Sequence, residues 1–256
     1  MSIAVENVSK TFSRKDSNNK ALDNINLNVE TGEFVCLLGP SGCGKSTLMN
    51  MMAGFFNPTE GKINIDGEIV TRPRLDRVTI FQNYGLLPWR TVEKNVQLGL
   101  ESKKIAKDER KKISDKYIEL VGLGEFKNSY PAELSGGMKQ RVAIARALAV
   151  KPKILFMDEP FAALDPVIRV KLQEDLIKIW KEEKMTVVFV THDVEEAICL
   201  GTKIVIMAPH PGRIKQVINN TLPKPVKRSG TEFYGLKDRI FHHLQSNANE
   251  KVEYYI

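Results

Sequence analysis

The sequence predicts an α/β fold, in which a parallel β-sheet lies between helices, with an antiparallel sheet and a helical lobe beside it. Three observations predict this arrangement. Four short, continuous apolar runs are typical of strands covered on both faces, whereas other stretches alternate apolar and polar residues, as half-exposed antiparallel strands do. A charge-rich segment has the apolar spacing of a surface helix. The length of 256 residues fits one large domain or two lobes that share a core.

Each of the four apolar runs leads into a polar group. The runs and the residues that follow them are 34–38 before Gly39, 78–81 before Gln82, 154–157 before Asp158 and Glu159, and 187–190 before Thr191 and His192. Parallel α/β sheets bind ligands just beyond the carboxyl ends of their strands. We therefore expect these four segments, which are far apart in sequence, to deliver their polar side chains to one edge of the sheet.

The remaining predicted elements surround this sheet. Residues 25–29 and 63–66 alternate with period two, and Asp66-Gly67 is a hairpin signal before 68–70, which predicts an antiparallel sheet. Apolar residues at helical spacing around 100–121 predict the charged surface lobe. A helix is expected over 166–183, with Asp165 as its N-cap and Pro166 as its first residue. Residues 222–228 are basic and linker-like, and a short terminal helix is expected around 236–245.

Composition narrows the class of protein without choosing a function. With 38 Lys+Arg against 31 Asp+Glu, the net charge of +7 suits anionic partners such as nucleotides, nucleic acid or lipid headgroups. No apolar run approaches the roughly 18 residues of a membrane-spanning helix, and the first residues lack the pattern of a secretory signal. Three cysteines without a C-x-x-C pair favour neither a disulfide framework nor a zinc site. We expect a soluble, cytosolic chain.

A phosphate-binding loop follows the first buried run. Residues 39–46 read Gly-Pro-Ser-Gly-Cys-Gly-Lys-Ser, which fits the pattern G-x-x-x-x-G-K-[ST], and an apolar helical stretch over 48–53 comes after it. Glycines let successive backbone N–H groups approach one phosphate, and the helix N-terminus adds partial positive charge. We expect Lys45 to meet the outer phosphates and the Ser46 hydroxyl to ligate Mg²⁺.

The other strand ends supply the groups that phosphoanhydride hydrolysis needs. Asp158 is placed to hold Mg²⁺, directly or through water, and Glu159 is the candidate general base for the attacking water. The two carboxylates take different tasks because adjacent side chains of an extended strand point to opposite faces. His192 is expected to contact the γ-phosphate, and Gln82 is expected either to orient the water or to reach the metal.

A second glycine pair creates another potential anion site. Ser135 is a good N-cap for a helical run over 139–150, and Gly136 and Gly137 leave the first N–H groups of that helix accessible. The loop contains no lysine. The residues alone leave two interpretations open: a second phosphate-binding site, or a well-capped helix that packs closely at its glycines.

Taken in order, these motifs resemble the ATP-binding-cassette (ABC) ATPases, over about residues 1–215. Segment 39–47 is similar to the Walker A loop, Gln82 to the Q-loop glutamine, and 134–138 to the family signature. Segment 154–159 is similar to Walker B with its catalytic glutamate, 163–165 to the D-loop, and His192 to the switch histidine. Phe12 lies where the family has an aromatic ring that stacks on adenine. The resemblance thus implies that ATP is contacted by Phe12, Gly39, Pro40, Ser41, Gly42, Cys43, Gly44, Lys45, Ser46, Thr47, Ser135, Gly136 and Gly137.

The resemblance also implies a fold and an assembly. The fold would be a P-loop NTPase with a RecA-like parallel core, an antiparallel β-subdomain and a helical signature subdomain. The ATPase domain would span 1–215, with the core and β-subdomain in 1–83 and 151–215, the helical subdomain in about 84–150, and a short C-terminal extension over 216–256. Two copies, expected to be identical, would form a head-to-tail dimer that ATP closes and hydrolysis reopens. Each ATP would lie between the phosphate loop of one subunit and the signature of the other.

Finer features are similar to the importers of the nitrate, sulfonate and taurine group. They are the segment 81–92, Met138 where glutamine is commoner, Phe161 after Glu159-Pro160, and the segment 211–213. This resemblance implies an ATPase at the cytoplasmic face of the membrane, bound to transmembrane permease subunits that an external solute-binding protein feeds. Leu86, Leu87 and Trp89 would be exposed to receive the permease. The alternative for Trp89 is a buried anchor of its loop.

Three other interpretations are kept. The chain could be the ATPase of a different importer, a soluble cassette acting on nucleic acid or ribosomes, or a nucleotide-gated switch that hydrolyses poorly. It has neither a long coiled-coil insertion nor a second cassette, so we expect no nucleic-acid partner, and Glu159 with His192 argues against the poorly hydrolysing switch. Cys43 also has two interpretations. It is either a thiol whose pKa falls near the helix N-terminus, so that alkylation blocks activity and ATP protects, or an unreactive small filler.

Overall fold

The computed structural model describes residues 1–14 and 17–245, and these residues form two sheets and a set of helices. The strands are β1 (Ile3–Arg14), β2 (Ser17–Val29), β3 (Phe34–Leu38), β4 (Glu60–Ile65), β5 (Glu68–Ile69), β6 (Arg77–Ile80), β7 (Ile154–Asp158), β8 (Thr186–Thr191), β9 (Lys203–Ala208) and β10 (Arg213–Asn219). The α-helices are α1 (Lys45–Ala53), α2 (Val92–Ser102), α3 (Lys107–Leu120), α4 (Gly136–Ala149), α5 (Pro166–Glu183), α6 (Val194–Leu200) and α7 (Thr231–Gln245).

The central sheet has six strands in the order β10-β9-β3-β8-β7-β6. Strands β9, β3, β8, β7 and β6 run parallel, and β10 pairs antiparallel with β9 at one edge. The four apolar runs of the sequence are four of the parallel strands, each within about one residue of its predicted bounds. The predicted parallel core is therefore confirmed.

Two hydrophobic cores lie on opposite faces of this sheet, and the alternating side chains of β3 belong to different ones. Phe34, Cys36 and Leu38 pack with residues of α2 to α7 on one face. Val35 and Leu37 pack on the other face with residues of α1 and the antiparallel sheet. All five side chains are fully buried, which explains why this strand has a continuous apolar sequence rather than an alternating one.

The second sheet is antiparallel, with the order β2-β1-β4-β5, as the alternating segments predicted. Asp66 and Gly67 form the predicted hairpin turn, and both have positive φ, 51° and 85°, as a two-residue I′ turn requires. Strand β1 was not predicted. Its pairing with β2 is interrupted by register shifts between Val5 and Val8 and again on either side of Lys10, so its sequence does not keep a period of two.

The helices cover the central sheet and form the predicted lobe. Helices α2, α3 and α4 pack on one another through apolar side chains that include Tyr117 and Ile118. Helix α5 begins as predicted, because an Asp165 carboxylate oxygen accepts hydrogen bonds from the backbone N–H groups of Val167 and Ile168, at 2.9 and 3.1 Å. Helix α7 begins at Thr231, earlier than the sequence indicated.

The last part of the predicted C-terminal extension, residues 246–256, lies outside the described residues. Within 1–14 and 17–245, no helix combines the length and apolarity needed to cross a bilayer.

Candidate nucleotide-hydrolysing site

Strand register brings the predicted polar segments to one edge of the central sheet. Leu38 lies opposite Thr191, Val190 opposite Asp158, and Met157 opposite Ile80. The four strands therefore end within about one residue of one another. The residues that follow them begin at this common edge, as the sequence predicted.

The phosphate loop is shaped by close approaches that only glycine allows. A Cβ at Gly39 would lie 2.6 Å from the carbonyl oxygen of Met207. Gly44 has φ +92°, and a Cβ there would lie 2.5 Å from a Leu22 methyl carbon. Gly44 is also the N-cap of α1 and supplies no side-chain cap, and the first turn carries no acidic residue. The first N–H groups of α1 can therefore serve an anion.

Lys45 is buried inside this loop, with only 5% of its surface exposed. Its ammonium group donates hydrogen bonds to the carbonyl oxygens of Gly39, at 2.7 Å, and Pro40, at 2.8 Å. The loop thus positions the positive charge beside its own backbone donors. An outer phosphate oxygen can replace these carbonyls as the acceptor, at the point where the nucleotide's negative charge is greatest.

Ser46 and Asp158 form an oxygen pair beside Lys45. The Ser46 hydroxyl donates a 2.8 Å hydrogen bond to Asp158 Oδ1. Burial raises the pKa of Asp158 above its ordinary value, and Glu159 adds to the rise, whereas the Ser46 hydrogen bond and Lys45 oppose it. A hydroxyl and a carboxylate are hard oxygen donors of the kind that Mg²⁺ prefers, so these two residues fit that ion, whose charge would favour the ionised Asp158.

Glu159 and His192 face each other across the edge of the sheet. His192 Nδ1 lies 3.3 Å from Glu159 Oε1, and the histidine side chain is 55% exposed. The sequence predicted that Glu159 continues the extended strand, and this is wrong. Its φ is +46°, and its N–H donates to the carbonyl oxygen of Val190. A left-handed turn, rather than strand alternation, therefore sets the position of this side chain beside His192. Such conformations are uncommon for a residue with a side chain and cluster at functional sites.

Two predicted residues lie apart from this group. Gln82 is exposed two residues beyond β6 and makes no hydrogen bond within the described part of the chain. Phe12 lies on β1, where its ring is 37% exposed and meets Phe56 edge-on at 6.1 Å, and the Lys10 ammonium lies 5.2 Å from the ring centroid. The ring is therefore accessible for stacking.

The second anion site lies at the start of α4. Ser135 is the N-cap as predicted, and its hydroxyl oxygen accepts a 3.3 Å hydrogen bond from the N–H of Met138. Ser135 and Gly136 are exposed, and a Cβ at Gly137 would lie 3.1 Å from the carbonyl oxygen of Ala163. The helix is thus both well capped and closely packed at Gly137, while its first turn remains open to solvent.

Comparison with known proteins decides the family. The model of the ABC transporter family matches residues 22–162, more than half of the chain. The chain belongs to the ABC transporter family. An uncharacterized ABC transporter ATP-binding protein of Methanocaldococcus jannaschii is 51% identical over 251 residues, which cover 98% of this chain and 94% of that protein. The aliphatic sulfonates import ATP-binding protein SsuB of Bacillus cereus is 46% identical over 246 residues, which cover 96% of each chain.

A solved structure supports the same assignment. The dimeric ATP-binding cassette MJ0796, in a post-hydrolysis state bound to ADP and Pi, superposes with a TM-score of 0.78 at 36% identity, covering 85% of this chain and 98% of that chain. The predicted P-loop NTPase fold is confirmed. This chain is an ABC transporter ATPase, as its motifs indicated.

The loop that follows Gln82 in this ABC transporter ATPase is held by a residue that the sequence analysis missed. The guanidinium group of Arg146, on α4, donates hydrogen bonds to the carbonyl oxygens of Tyr84, at 2.8 Å, and Gly85, at 2.6 Å. Burial lowers the pKa of Arg146, and no carboxylate pairs with it within the described residues. Helix α4, which begins at the signature, is thereby joined to the loop that follows Gln82. A lone arginine within the apolar run 142–150 was the available signal.

The same loop presents Trp89, which is 71% exposed, so the alternative of a buried anchor is wrong. The expectation that Leu86 and Leu87 are exposed is also wrong, because both are partly buried and Leu86 packs against the core on the helical side of the sheet.

Cys43 is fully buried, and burial raises the pKa of its thiol, outweighing the opposing effect of Lys45. Of the two interpretations, the thiol of lowered pKa is therefore wrong, and the buried small filler agrees with the structure. We predict that iodoacetamide, under conditions that label all three cysteines of the denatured chain, leaves Cys43 unmodified and the native ATPase active. Mass spectrometry counts the adducts. Rapid labelling of Cys43 with loss of activity would contradict this account.

A buried carboxylate behind His192 was also missed. Glu196 on α6 is 7% exposed, and burial raises its pKa to about 7 from 4.5. Burial is the largest effect on this pKa. The charge of Asp193 also raises the pKa, whereas the Thr191 hydrogen bond and the charges of Arg169 and His192 lower it. Between these two pH values the folded chain keeps a proton that the unfolded chain releases, so stability falls as pH rises through this window.

We therefore expect the stability of Glu196→Gln relative to the wild type to rise between pH 4.5 and pH 8 by on the order of 3 kcal/mol. Urea unfolding of both proteins at several pH values measures the difference. Glu195→Gln is the matched control, because the neighbouring Glu195 side chain is 40% exposed. A flat difference for Glu196→Gln, or an equal rise for Glu195→Gln, would show that burial of Glu196 does not have this effect.

Proposed function

We propose that this chain is the ATP-hydrolysing subunit of a membrane importer for a small anionic solute. The observation that supports hydrolysis best is the convergence of Lys45, the Ser46–Asp158 pair and the Glu159–His192 pair at one sheet edge. Five side chains from three distant segments, with these chemical types, match what a triphosphate and an attacking water require.

Each residue has a distinct task in this proposal. Backbone N–H groups of the loop 39–47 hold the β- and γ-phosphates, and Lys45 donates to their outer oxygens. Ser46 and Asp158, with Gln82 after its loop moves inward, would hold Mg²⁺, which neutralises phosphate charge when bound. Glu159 accepts a proton from the water that attacks the γ-phosphorus. His192 contacts the γ-phosphate oxygens, and Phe12 stacks on adenine.

A second copy of the chain supplies the remaining residues of the hydrolytic site. Ser135, Gly136 and Gly137 would bind the γ-phosphate held by the phosphate loop of the partner, which gives the open first turn of α4 a ligand. Their exposure and the dimeric state named for MJ0796 support this arrangement. The γ-phosphate then joins the two subunits, and its loss on hydrolysis lets them separate.

The transported solute is proposed from the resemblance of segment 81–92 and from the relative named for aliphatic sulfonate import. Nitrate, sulfonates and taurine are the candidate solutes. Trp89 would meet the cytoplasmic side of a permease, because an exposed aromatic ring is a frequent anchor of protein interfaces. The ATPase would thus be peripheral, at the cytoplasmic face, and an external binding protein would deliver the solute. The division into 1–215 and 216–256, with a helical subdomain over about 84–150, is part of this proposal.

Proteoliposomes containing the cognate permease test the transport function. With this chain outside, external Mg-ATP and solute-binding protein inside, we expect ATP-dependent efflux of one of the candidate anions into the medium, together with faster phosphate release. Glu159→Gln should support neither. Stable phosphate release without permease stimulation, combined with salt-sensitive binding to nucleic acid or ribosomes, would instead favour the soluble cassette.

A further inference from the structure

Thr191 and Asp193, the two neighbours of His192, are held by one series of hydrogen bonds that ends on Glu196. The N–H of Asp193 donates to the Thr191 hydroxyl oxygen at 3.0 Å, and that hydroxyl donates to Glu196 Oε2 at 2.7 Å. Thr191 is the last residue of β8 and is 2% exposed. The backbone on both sides of His192 is therefore connected to a single buried carboxylate.

The Asp193 carboxylate closes this series of hydrogen bonds into a ring. Its Oδ1 accepts hydrogen bonds from the N–H groups of Glu195, at 2.8 Å, and Glu196, at 3.1 Å, as the N-cap of α6. The turn that carries His192 is thus fixed at residues 191 and 193, while the imidazole between them is exposed toward Glu159. Such a ring determines where the imidazole can point without contacting the nucleotide itself.

Other elements hold the second oxygen of Glu196. The Gln173 side-chain amide, on α5, donates to Glu196 Oε1 at 3.3 Å, and Arg228 donates to Gln173 Oε1 at 2.6 Å. Arg169 on α5 places its Nε 4.0 Å from Glu196 Oε1 and a terminal nitrogen 3.9 Å from an Asp193 carboxylate oxygen. A carboxylate this deeply buried, with a partner for each oxygen, is expensive to desolvate, and its position behind the turn suggests a functional reason for it.

We propose that Glu196 is a positioning residue for His192, acting through the Thr191 hydroxyl. Glu196 does not touch the nucleotide; it holds the turn 191–193 so that the imidazole stays beside Glu159 and the γ-phosphate. This inference rests on the proposed role of His192 in hydrolysis. Weakening the ring lets the imidazole move, and a displacement of about 1 Å in a catalytic group can cost about 10²-fold in rate.

Steady-state hydrolysis by purified variants tests this role. Glu196→Ala and Thr191→Val should each lower kcat by about 10- to 100-fold, with the KM for ATP and the affinity for Mg-ATP unchanged. Thr191→Ser keeps the hydroxyl and should retain wild-type kcat. In a His192→Ala background, neither Glu196→Ala nor Thr191→Val should lower kcat further, because the group that they position is gone.

The outcomes separate the inference from the function on which it rests. A His192→Ala protein that hydrolyses ATP normally would overturn both the role of His192 and that of Glu196. A slow His192→Ala protein, combined with normal kcat in Thr191→Val, or with losses that multiply in the double variants, would overturn the positioning role alone. If Glu196→Ala fails to fold, the pair Thr191→Val and Thr191→Ser decides the question without it.

Discussion

Replacing Glu159 with glutamine should leave ATP binding intact and lower steady-state hydrolysis by a factor of about 10²–10⁴. The amide keeps the size of the side chain and a neighbour for His192 Nδ1, which lies 3.3 Å from Glu159 Oε1, but it cannot accept a proton from water. Phosphate release by the variant, measured beside equilibrium binding of a fluorescent ATP analogue, separates the two effects.

The matched control is Glu125→Gln, because Glu125 is an exposed carboxylate of the helical lobe. It should hydrolyse ATP at the wild-type rate. Normal turnover by Glu159→Gln would remove Glu159 as the base. Equal losses of turnover and binding would instead indicate that the left-handed turn at Glu159 collapses when the side chain changes.

Replacing Lys45 with alanine should weaken ATP binding by about 10- to 100-fold, as expected for the loss of one or two charge-assisted hydrogen bonds to phosphate. The same change leaves the carbonyl oxygens of Gly39 and Pro40 without their buried donor, so the loop itself also loses support. Isothermal titration with Mg-ATP measures the affinity directly.

Lys62→Ala removes an equal charge from an exposed side chain of β4 and controls for the net charge of the chain. Its affinity for Mg-ATP should match that of the wild type. Unchanged binding by Lys45→Ala would refute the role of Lys45 at the phosphates. If Lys45→Ala weakens the binding of ADP by the same factor as the binding of ATP, Lys45 contacts the β-phosphate rather than lying between the β- and γ-phosphates.

The central sheet could be predicted because burial on both faces leaves a direct mark on sequence. Strands β3, β7 and β8 are continuous apolar runs, and each is followed at once by a polar group. Strand β10 leaves no such mark. It is an outermost strand of the sheet and only its Ile218 is buried, so its sequence shows neither a continuous nor an alternating apolar pattern. Strand β1 lacks the pattern for another reason, since bulges interrupt its alternation.

The functional residues could be predicted where one short segment contains all the residues of a binding motif. The glycines, Lys45 and Ser46 of the phosphate loop are contiguous, and the positive φ of Gly44 follows from its residue type. The conformation of Glu159 differs from expectation, and the raised pKa of Cys43 decides between two interpretations that the sequence left open. Both depend on packing by distant segments. The contacts that hold Glu196 behind His192 come from Gln173 on α5 and, through it, from Arg228 before α7, so only the folded chain reveals them.

The central claim is that the triphosphate is enclosed by Lys45, Ser46, Asp158, Glu159 and His192 of one chain and by the signature of a second. The mass of Glu159→Gln in saturating Mg-ATP, measured by light scattering, tests it most directly. We expect twice the mass of one chain with ATP and a single mass without nucleotide. Adding Ser135→Arg to the same protein should keep it monomeric while ATP still binds. A Glu159→Gln protein that binds ATP and stays monomeric, or a Ser135→Arg variant that still dimerises with ATP, would contradict the claim.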